Sequence, residues 1–378
     1  MDLALPLLKE LSFLLKERAD YIRIKMDDQL IKDSIALLKK LIGISSFSKE
    51  EDQTADTIQQ FFLDRGIPSR RKQNNVWVYN KHYDPSKPTI LLNSHHDTVK
   101  PNTGYTRDPF LAEVIDGKLY GLGSNDAGGP LVSLIAAFLY FYEHELLQYN
   151  LCLAATAEEE ISGKNGIELI LPELGSLDFA IVGEPTQMQL AIAERGLMVL
   201  DCTAHGQSGH AAREEGENAI YKALKDIEWF RSFRFPKESA LFGPIKMSVT
   251  IINAGSQHNV IPATCDFVVD VRTTDAYRNE EVLAIIQQNI FADVKARSTR
   301  LNPSSISIEH PFVKAGISLG RKTFGSPTMS DQALLNIPSV KVGPGDSARS
   351  HSANEFIYIS EIEEGISLYK EILHRVVF

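Results

Sequence analysis

The chain has 378 residues, 43% apolar and 23% charged, the composition of an ordinary soluble globular protein long enough for two domains. Its formal net charge of −10 argues against a nucleic-acid-binding surface. Three cysteines, Cys152, Cys202 and Cys265, lie far apart in apolar strand-like runs, which argues against a disulfide framework and for buried thiols in a reducing compartment.

Before Met26 the apolar residues are spaced as an amphipathic helix, without the basic-then-apolar order or small-residue cleavage site of a secretory signal. Met26-Asp27-Asp28 is a second natural start. No run is apolar and long enough to span a bilayer, so the expected compartment is the cytoplasm and no membrane partner is expected.

From there helical and strand-like patterns alternate. Asp27–Ile42 has helical periodicity, Ser45–Glu50 reads as a polar loop, and Thr54–Arg65 as a helix broken at Gly66-Ile67-Pro68. Asn75–Asn80 alternates like a half-buried strand, and Thr89–Leu92 is continuously apolar. Pro130 suits the first turn of a helix running from about Gly128 to Leu146. Asn150–Thr156 and Asp178–Val182 are further buried strands, and the alternation implies an α/β sheet that is at least partly parallel.

The pattern changes near Gly196. Strands are expected at Leu197–Ala204, Lys246–Asn253, Cys265–Arg272 and Asp293–Arg300, with helices at Asn218–Phe230 and Glu280–Phe291. This β-α-β-β-α-β order is the ferredoxin-like split arrangement, placed here as an α+β insertion over about 195–307 between segments 1–194 and 308–378 of a first domain. A strand at Val340–Val342 and a helix at Glu361–Arg375 close the chain.

Apolar strands repeatedly run into metal-type ligands. Leu91–Ser94 leads to His95-His96-Asp97, Leu151–Ala157 to Glu158-Glu159-Glu160, Ala180–Gly183 to Glu184, and Val340–Gly345 to His351. Asp126 adds a fifth candidate just before a helix. Singly, each has a bland explanation: a surface His-X-Asp pair, a solvated acidic turn, a turn residue before Pro185, an idle histidine in a serine-rich loop. Together they are harder to dismiss, because the crevice at strand carboxyl ends is where α/β sheets build sites. Several carboxylates buried there need divalent cations to neutralise them.

On these motifs the chain resembles the dinuclear zinc deacylases and peptidases that include acetylornithine deacetylase, succinyl-diaminopimelate desuccinylase, aminoacylase and glutamate carboxypeptidase. The resemblance rests on Ser94–Val99, Tyr120–Gly129, Thr156–Gly163, Gly183–Thr186, His205–Ala219, Asn259–Pro262 and His351–Phe356. It implies a zinc-exopeptidase-like α/β catalytic domain, with a mixed central sheet flanked by helices, and makes the insertion a dimerisation (lid) domain. It further implies two zinc ions, which cobalt or manganese can replace. Asp126 would bridge them, with His95 and Glu184 completing one site and Glu160 and His351 the other. Glu159 takes the general-base position, Asp97 orients His95, and His96 is non-ligating. His210 would stabilise the oxyanion, supplied across a homodimer, and a cis peptide is implied between Asp126 and Ala127. Asn259, Arg272, Gly343 and Gly345 would meet the substrate carboxylate. The family usually has Asp-Glu-Glu where this chain has Glu158-Glu159-Glu160, which leaves base and ligand open to a one-residue shift, although Gly163 favours the register given.

The expected activity is hydrolysis of an N-acyl-L-amino acid. The Gly121–Gly129 and Glu194–Leu197 motifs look most like the acetylornithine deacetylase branch of arginine biosynthesis, acting on N-acetyl- or N-succinyl-ornithine or -citrulline. A desuccinylase or dipeptidase is the alternative, and a non-enzymatic amino-acid-binding relative is the distant third.

Overall fold

The computed structural model describes residues 27–213 and 215–378; the amphipathic helix expected before Met26 lies outside them. The described chain forms two compact units, one of residues up to Met188 with Val342–Phe378, the other Gln189–Lys341.

The first unit is built on a mixed sheet whose strands run, in spatial order, Arg70–Lys72, Asn75–Tyr79, Asn150–Thr156, Thr89–His95 and Phe179–Val182. The first three pair antiparallel, and the last three pair parallel. The three parallel strands are buried along their whole length. That is what their unbroken Ile, Leu, Val, Phe and Ala runs predict for a sheet covered on both faces. Their register sets His95 opposite Thr156 and Asn93 opposite Val182, so all three end together on one edge.

Helices cover the sheet. The helix over 27–42 buries Ser34, Leu37, Leu38, Leu41 and Ile42, and Asp52–Leu63 buries Thr54, Ala55, Ile58 and Phe62, each a single stripe at three- and four-residue spacing. Gly129–Phe141 is apolar all round, buried on nearly every side, and packs against the sheet and the closing helix Ile359–Val377. It stops five residues short of the expected Leu146. Residues 143–146 are exposed, so no apolar burial favours prolonging it before the chain turns into Asn150–Thr156.

Two further expectations need correcting. Asn75–Tyr79 is not half-buried: Asn75 through Val78 are all buried, and Asn75 is satisfied there by bonds to Lys72 O, Asn165 O and Ala157 N. A small antiparallel sheet of Glu113–Ile115, Lys118–Tyr120 and Phe356–Tyr358 was not anticipated. Its pairing of Phe356 with Tyr120 lays the His351 segment beside the turn carrying Asp126. Among the described residues, no helix is long and apolar enough to cross a membrane.

In the second unit an antiparallel sheet runs Lys246–Ala254, Thr264–Thr273, Gly196–His205, Asp293–Ala296. Ala219–Ser232 and Asn279–Asn289 supply its helices, in the β-α-β-β-α-β order read from the sequence. Gly196–His205 alternates buried and half-buried positions, one face turned to a core of Met198, Leu200, Cys202, Phe230, Phe267 and Val269. A second group of strands, Leu190–Glu194, Ser304–Ser305, Thr323–Ser326 and Ser339–Lys341, pairs through Leu190–Glu194.

Candidate metal centre

The site lies where the parallel strands of the first unit end. Thr89–His95 delivers His95, the turn after Asn150–Thr156 delivers Glu159 and Glu160, and the turn after Phe179–Val182 delivers Glu184. The remaining two come from loops. Asp126 sits in the short turn Ser124–Gly128, where it and Ala127 leave helical geometry and their peptide is cis. His351 lies between the turn Ser347–Arg349 and the strand Phe356–Tyr358.

The side chains converge. His95 Nε2 is 3.3 Å from Asp126 Oδ1, 3.6 Å from Glu184 Oε1 and 3.9 Å from Glu159 Oε2. His351 Nε2 is 2.9 Å from Glu160 Oε2 and 3.7 Å from Asp126 Oδ2. Each Asp126 oxygen thus faces a different histidine. Two groups have ligand atoms mutually within 4.8 Å: His95, Glu159 and Glu184, and His95, Asp126 and Glu160.

The donor set fits divalent ions. His95 Nδ1 lies 3.0 Å from the Asp97 carbonyl, an acceptor, so Nδ1 carries the proton of the neutral ring. Nε2 then faces three carboxylates, an arrangement that favours positive charge between them, whether a proton on Nε2 or a metal ion. Burial alone depresses the His95 pKa. Hydrogen bonding to Asp126 and Asp97, with the charges of Glu159 and Glu184, overcomes that and holds it well above the ordinary histidine value. The Glu160 hydrogen bond pushes His351 up to about 9. Burial and the charge of Asp126 raise Glu160, although His351 pulls against them. Four carboxylates around two imidazoles make a strongly cation-seeking pocket, and nitrogen with carboxylate oxygen suits zinc, cobalt or manganese.

The three adjacent glutamates separate by geometry. Glu158 adopts a left-handed backbone (φ 54°), and its buried carboxylate accepts from the Asn165 backbone N–H and Asn165 Nδ2, away from the histidines. A Cβ at position 163 would overlap that carboxylate, which is why a glycine follows. Glu159 and Glu160 then face the pocket.

Backbone donors fix this turn. The Glu158 N–H donates to Glu51 Oε1, and those of Glu159 and Glu160 to Asp97 Oδ1 and Oδ2 at 3.1 and 3.2 Å. Asp97 thus does more than the sequence suggested. Its carbonyl is the nearer partner of His95, its carboxylate Oδ1 standing 3.4 Å away, while the carboxylate grips the glutamate turn and accepts from Ser48. His96 is engaged on both nitrogens, with Asn74 O and Thr54 Oγ1, and burial pushes its pKa down to about 4.

Sequence reading missed Glu51 and Glu355. Glu355 is 2% exposed and accepts from the N–H groups of Gly123, Asn125 and Asp126. Burial, with the charge of Asp126, pushes its carboxyl up to about 8 against the pull of those donors. Its one sequence signal was its place in the His351–Phe356 motif.

Gly343 and Gly345 pack against the ligand turns. A Cβ at 343 would press on the Glu184 backbone, and one at Gly345 (φ 91°) would meet Asn125. The Gly343 N–H, expected as a donor to substrate, is taken by Thr186 Oγ1.

His210, Asn259 and Arg272 belong to the second unit. His210 is exposed on the short ladder Gly209–His210 with Val260–Ile261. The Ala212 N–H donates to its Nδ1, so the neutral ring carries its proton on Nε2 and presents a donor. Asn259 is exposed, and its backbone carbonyl accepts from the Ala211 N–H. Arg272 makes a two-pronged ion pair with Asp270, two residues away on the same strand. The three cysteines are free and buried.

Residues 91–375 match the family model Peptidase family M20/M25/M40, a span holding the six converging side chains His95, Asp126, Glu159, Glu160, Glu184 and His351. A succinyl-diaminopimelate desuccinylase of Wolbachia pipientis is 24% identical, covering 90% of this chain and 92% of that protein. An acetylornithine deacetylase of Proteus mirabilis is 28% identical, covering 76% and 79%. A solved dinuclear metal binding peptidase of the M20 family from Bacillus subtilis is 15% identical with a TM-score of 0.65, covering 93% and 100%, a likeness of fold. The chain belongs to peptidase family M20/M25/M40 and is an amide-bond hydrolase of that metal-dependent family.

Proposed function

We propose that the chain deacylates an N-acyl-L-amino acid, as an acetylornithine deacetylase-type enzyme acting on N-acetyl- or N-succinyl-ornithine or -citrulline in arginine biosynthesis. The observation that carries the reading is the convergence of His95, Asp126, Glu159, Glu160, Glu184 and His351 on one pocket. Two zinc ions would suit these donors, with His95 and Glu184 as the residues to hold one, Glu160 and His351 the other, and Asp126 serving both. The chemistry they would supply when bound is polarisation of the amide carbonyl and a lower pKa for the attacking water.

The protein's own groups do the rest. Glu159 accepts the water proton on its carboxylate and delivers it to the departing nitrogen. Asp97 holds the backbone of Glu159 and Glu160 so that base and ligand keep separate tasks. His210 donates its Nε2 proton toward the oxyanion. Asn259 and Arg272 are the recognition groups for the substrate carboxylate. The insertion of about 195–307 is assigned as the lid of a cytoplasmic homodimer. Its outer strand, Lys246–Ala254, supports this by leaving one edge open and Ile251 and Ile252 exposed.

A substrate panel with metal content assayed in parallel tests the reading. N-acetylornithine should turn over fastest, ahead of N-succinyl-diaminopimelate and simple dipeptides, with two zinc equivalents per chain. Preference for the succinyl substrate or a dipeptide selects the sibling activity. No hydrolysis with both ions bound overturns the enzymatic reading.

A further inference from the structure

Glu355 occupies a costly position. It lies behind a pocket already lined by Asp126, Glu159, Glu160 and Glu184, and it is buried. A fifth carboxylate there raises the electrostatic cost of the metal-free protein. An amide could fill the space without adding charge. The position makes physical sense if the two carboxyl oxygens do something an amide cannot.

Its contacts say what. Oε1 accepts from Asn125 N and Asp126 N, both at 2.8 Å, and Oε2 from Gly123 N at 2.9 Å. The Glu355 carbonyl takes a fourth donor, Gly121 N, at 3.0 Å. Gly121 (φ 146°) and Gly123 (φ 74°) take left-handed backbones, which lets successive N–H groups curl round one anion. The carboxyl group spreads three N–H donors over two oxygens, whereas an amide offers only one oxygen to the same three. The turn that carries Asp126 is therefore wrapped on the Glu355 carboxylate.

The gripping segment also bears a ligand. Glu355 lies four residues after His351, and the stretch between is pinned. Asn102 Nδ2 donates to His351 O, and Asn354 Oδ1 accepts from Thr106 N and Arg107 N. The His351 segment thus holds the backbone of Asp126 directly, and the two Asp126 oxygens stand 3.3 Å from His95 and 3.7 Å from His351.

We propose that Glu355 is a positioning residue of the metal centre, its carboxylate fixing the Asp126 turn against the His351 segment so that Asp126 faces both histidines before any ion binds. This rests on the metal reading above. Holding a ligand in advance removes an ordering cost from binding, so loss of the grip appears first as weaker metal affinity.

The test is chelator competition for zinc on the full chain, reading both dissociation constants for wild type, Glu355→Gln, Glu355→Asp and Glu194→Gln. Glu355→Gln should weaken binding about 10- to 100-fold while saturating at two ions, and Glu355→Asp, which keeps both oxygens on a shorter arm, should fall between. Glu194, buried and paired with Lys341 in the other unit, is the control for general destabilisation: Glu194→Gln should lower the thermal midpoint and leave affinity unmoved. Adding Glu355→Gln to Asp126→Asn should change affinity much less than adding it to wild type. Wild-type affinity in folded Glu355→Gln, or an undiminished effect on Asp126→Asn, overturns the proposal. If Glu355→Gln does not fold, wild-type affinity in Glu355→Asp overturns it. A wild-type chain that binds no pair of ions would instead sink the underlying reading.

Discussion

The ligand pocket and the expected recognition residues are built in opposite ways. In the pocket, side chains are held from behind by backbone: Asp97 grips Glu159 and Glu160, Glu51 grips Glu158, and Glu355 grips the Asp126 turn. His210 and Asn259 are exposed, and the Arg272 guanidinium is paired with its strand neighbour Asp270. On the proposed roles, the groups that would do the chemistry sit on locked turns, while those that would meet the substrate keep freedom to adjust.

The largest test of that division is Glu159→Gln. If Glu159 moves the proton and holds no ion, kcat should fall by roughly 10³-fold or more while two zinc equivalents stay bound. Loss of zinc alongside activity would make Glu159 a ligand and erase the distinction among the three glutamates. Next comes His210→Ala, expected to cost about 10²-fold in kcat with metal content unchanged, as for removal of one oxyanion donor. Unchanged kcat would leave His210 a surface residue and shrink the recognition side of the comparison.

The smallest effect concerns what lies under the pocket. His96 is buried and its folded pKa is depressed to about 4. Between that value and the unfolded value near 6.5, the unfolded chain binds a proton that the folded chain does not. The His96 contribution is therefore complete above about pH 6.5 and is lost as pH falls toward 4. Urea midpoints of the metal-free protein at pH 7 and pH 4.5 should drop less in His96→Gln than in wild type. Equal drops would mean that His96 is not held neutral.

The candidate ligands were legible as a group, because four of them follow apolar runs and the bland explanation each has alone does not account for all of them together. The parallel pairing of Asn150–Thr156, Thr89–His95 and Phe179–Val182 then brings three of those runs to one edge. The buttresses were not legible, since Glu51 and Glu355 act on backbone N–H groups, which carry no sequence signature. The sheet of Glu113–Ile115, Lys118–Tyr120 and Phe356–Tyr358 escaped notice because three-residue strands with few buried side chains show no period. Arg272 shows what a sequence leaves out: a strand-end arginine suggests a carboxylate partner, and the pairing with Asp270, two residues back on the same strand, appears only in the structure.

The shared ending of the parallel strands has a consequence for how this chain tolerates change in length. Because side chains alternate across a strand, one residue inserted within Thr89–His95 would send His95 to the opposite face of the sheet. The same insertion in an exposed connection such as 82–88 would be absorbed without moving any ligand. Length variation compatible with this centre is therefore confined to the far ends of its strands and the outer loops, whatever happens to composition.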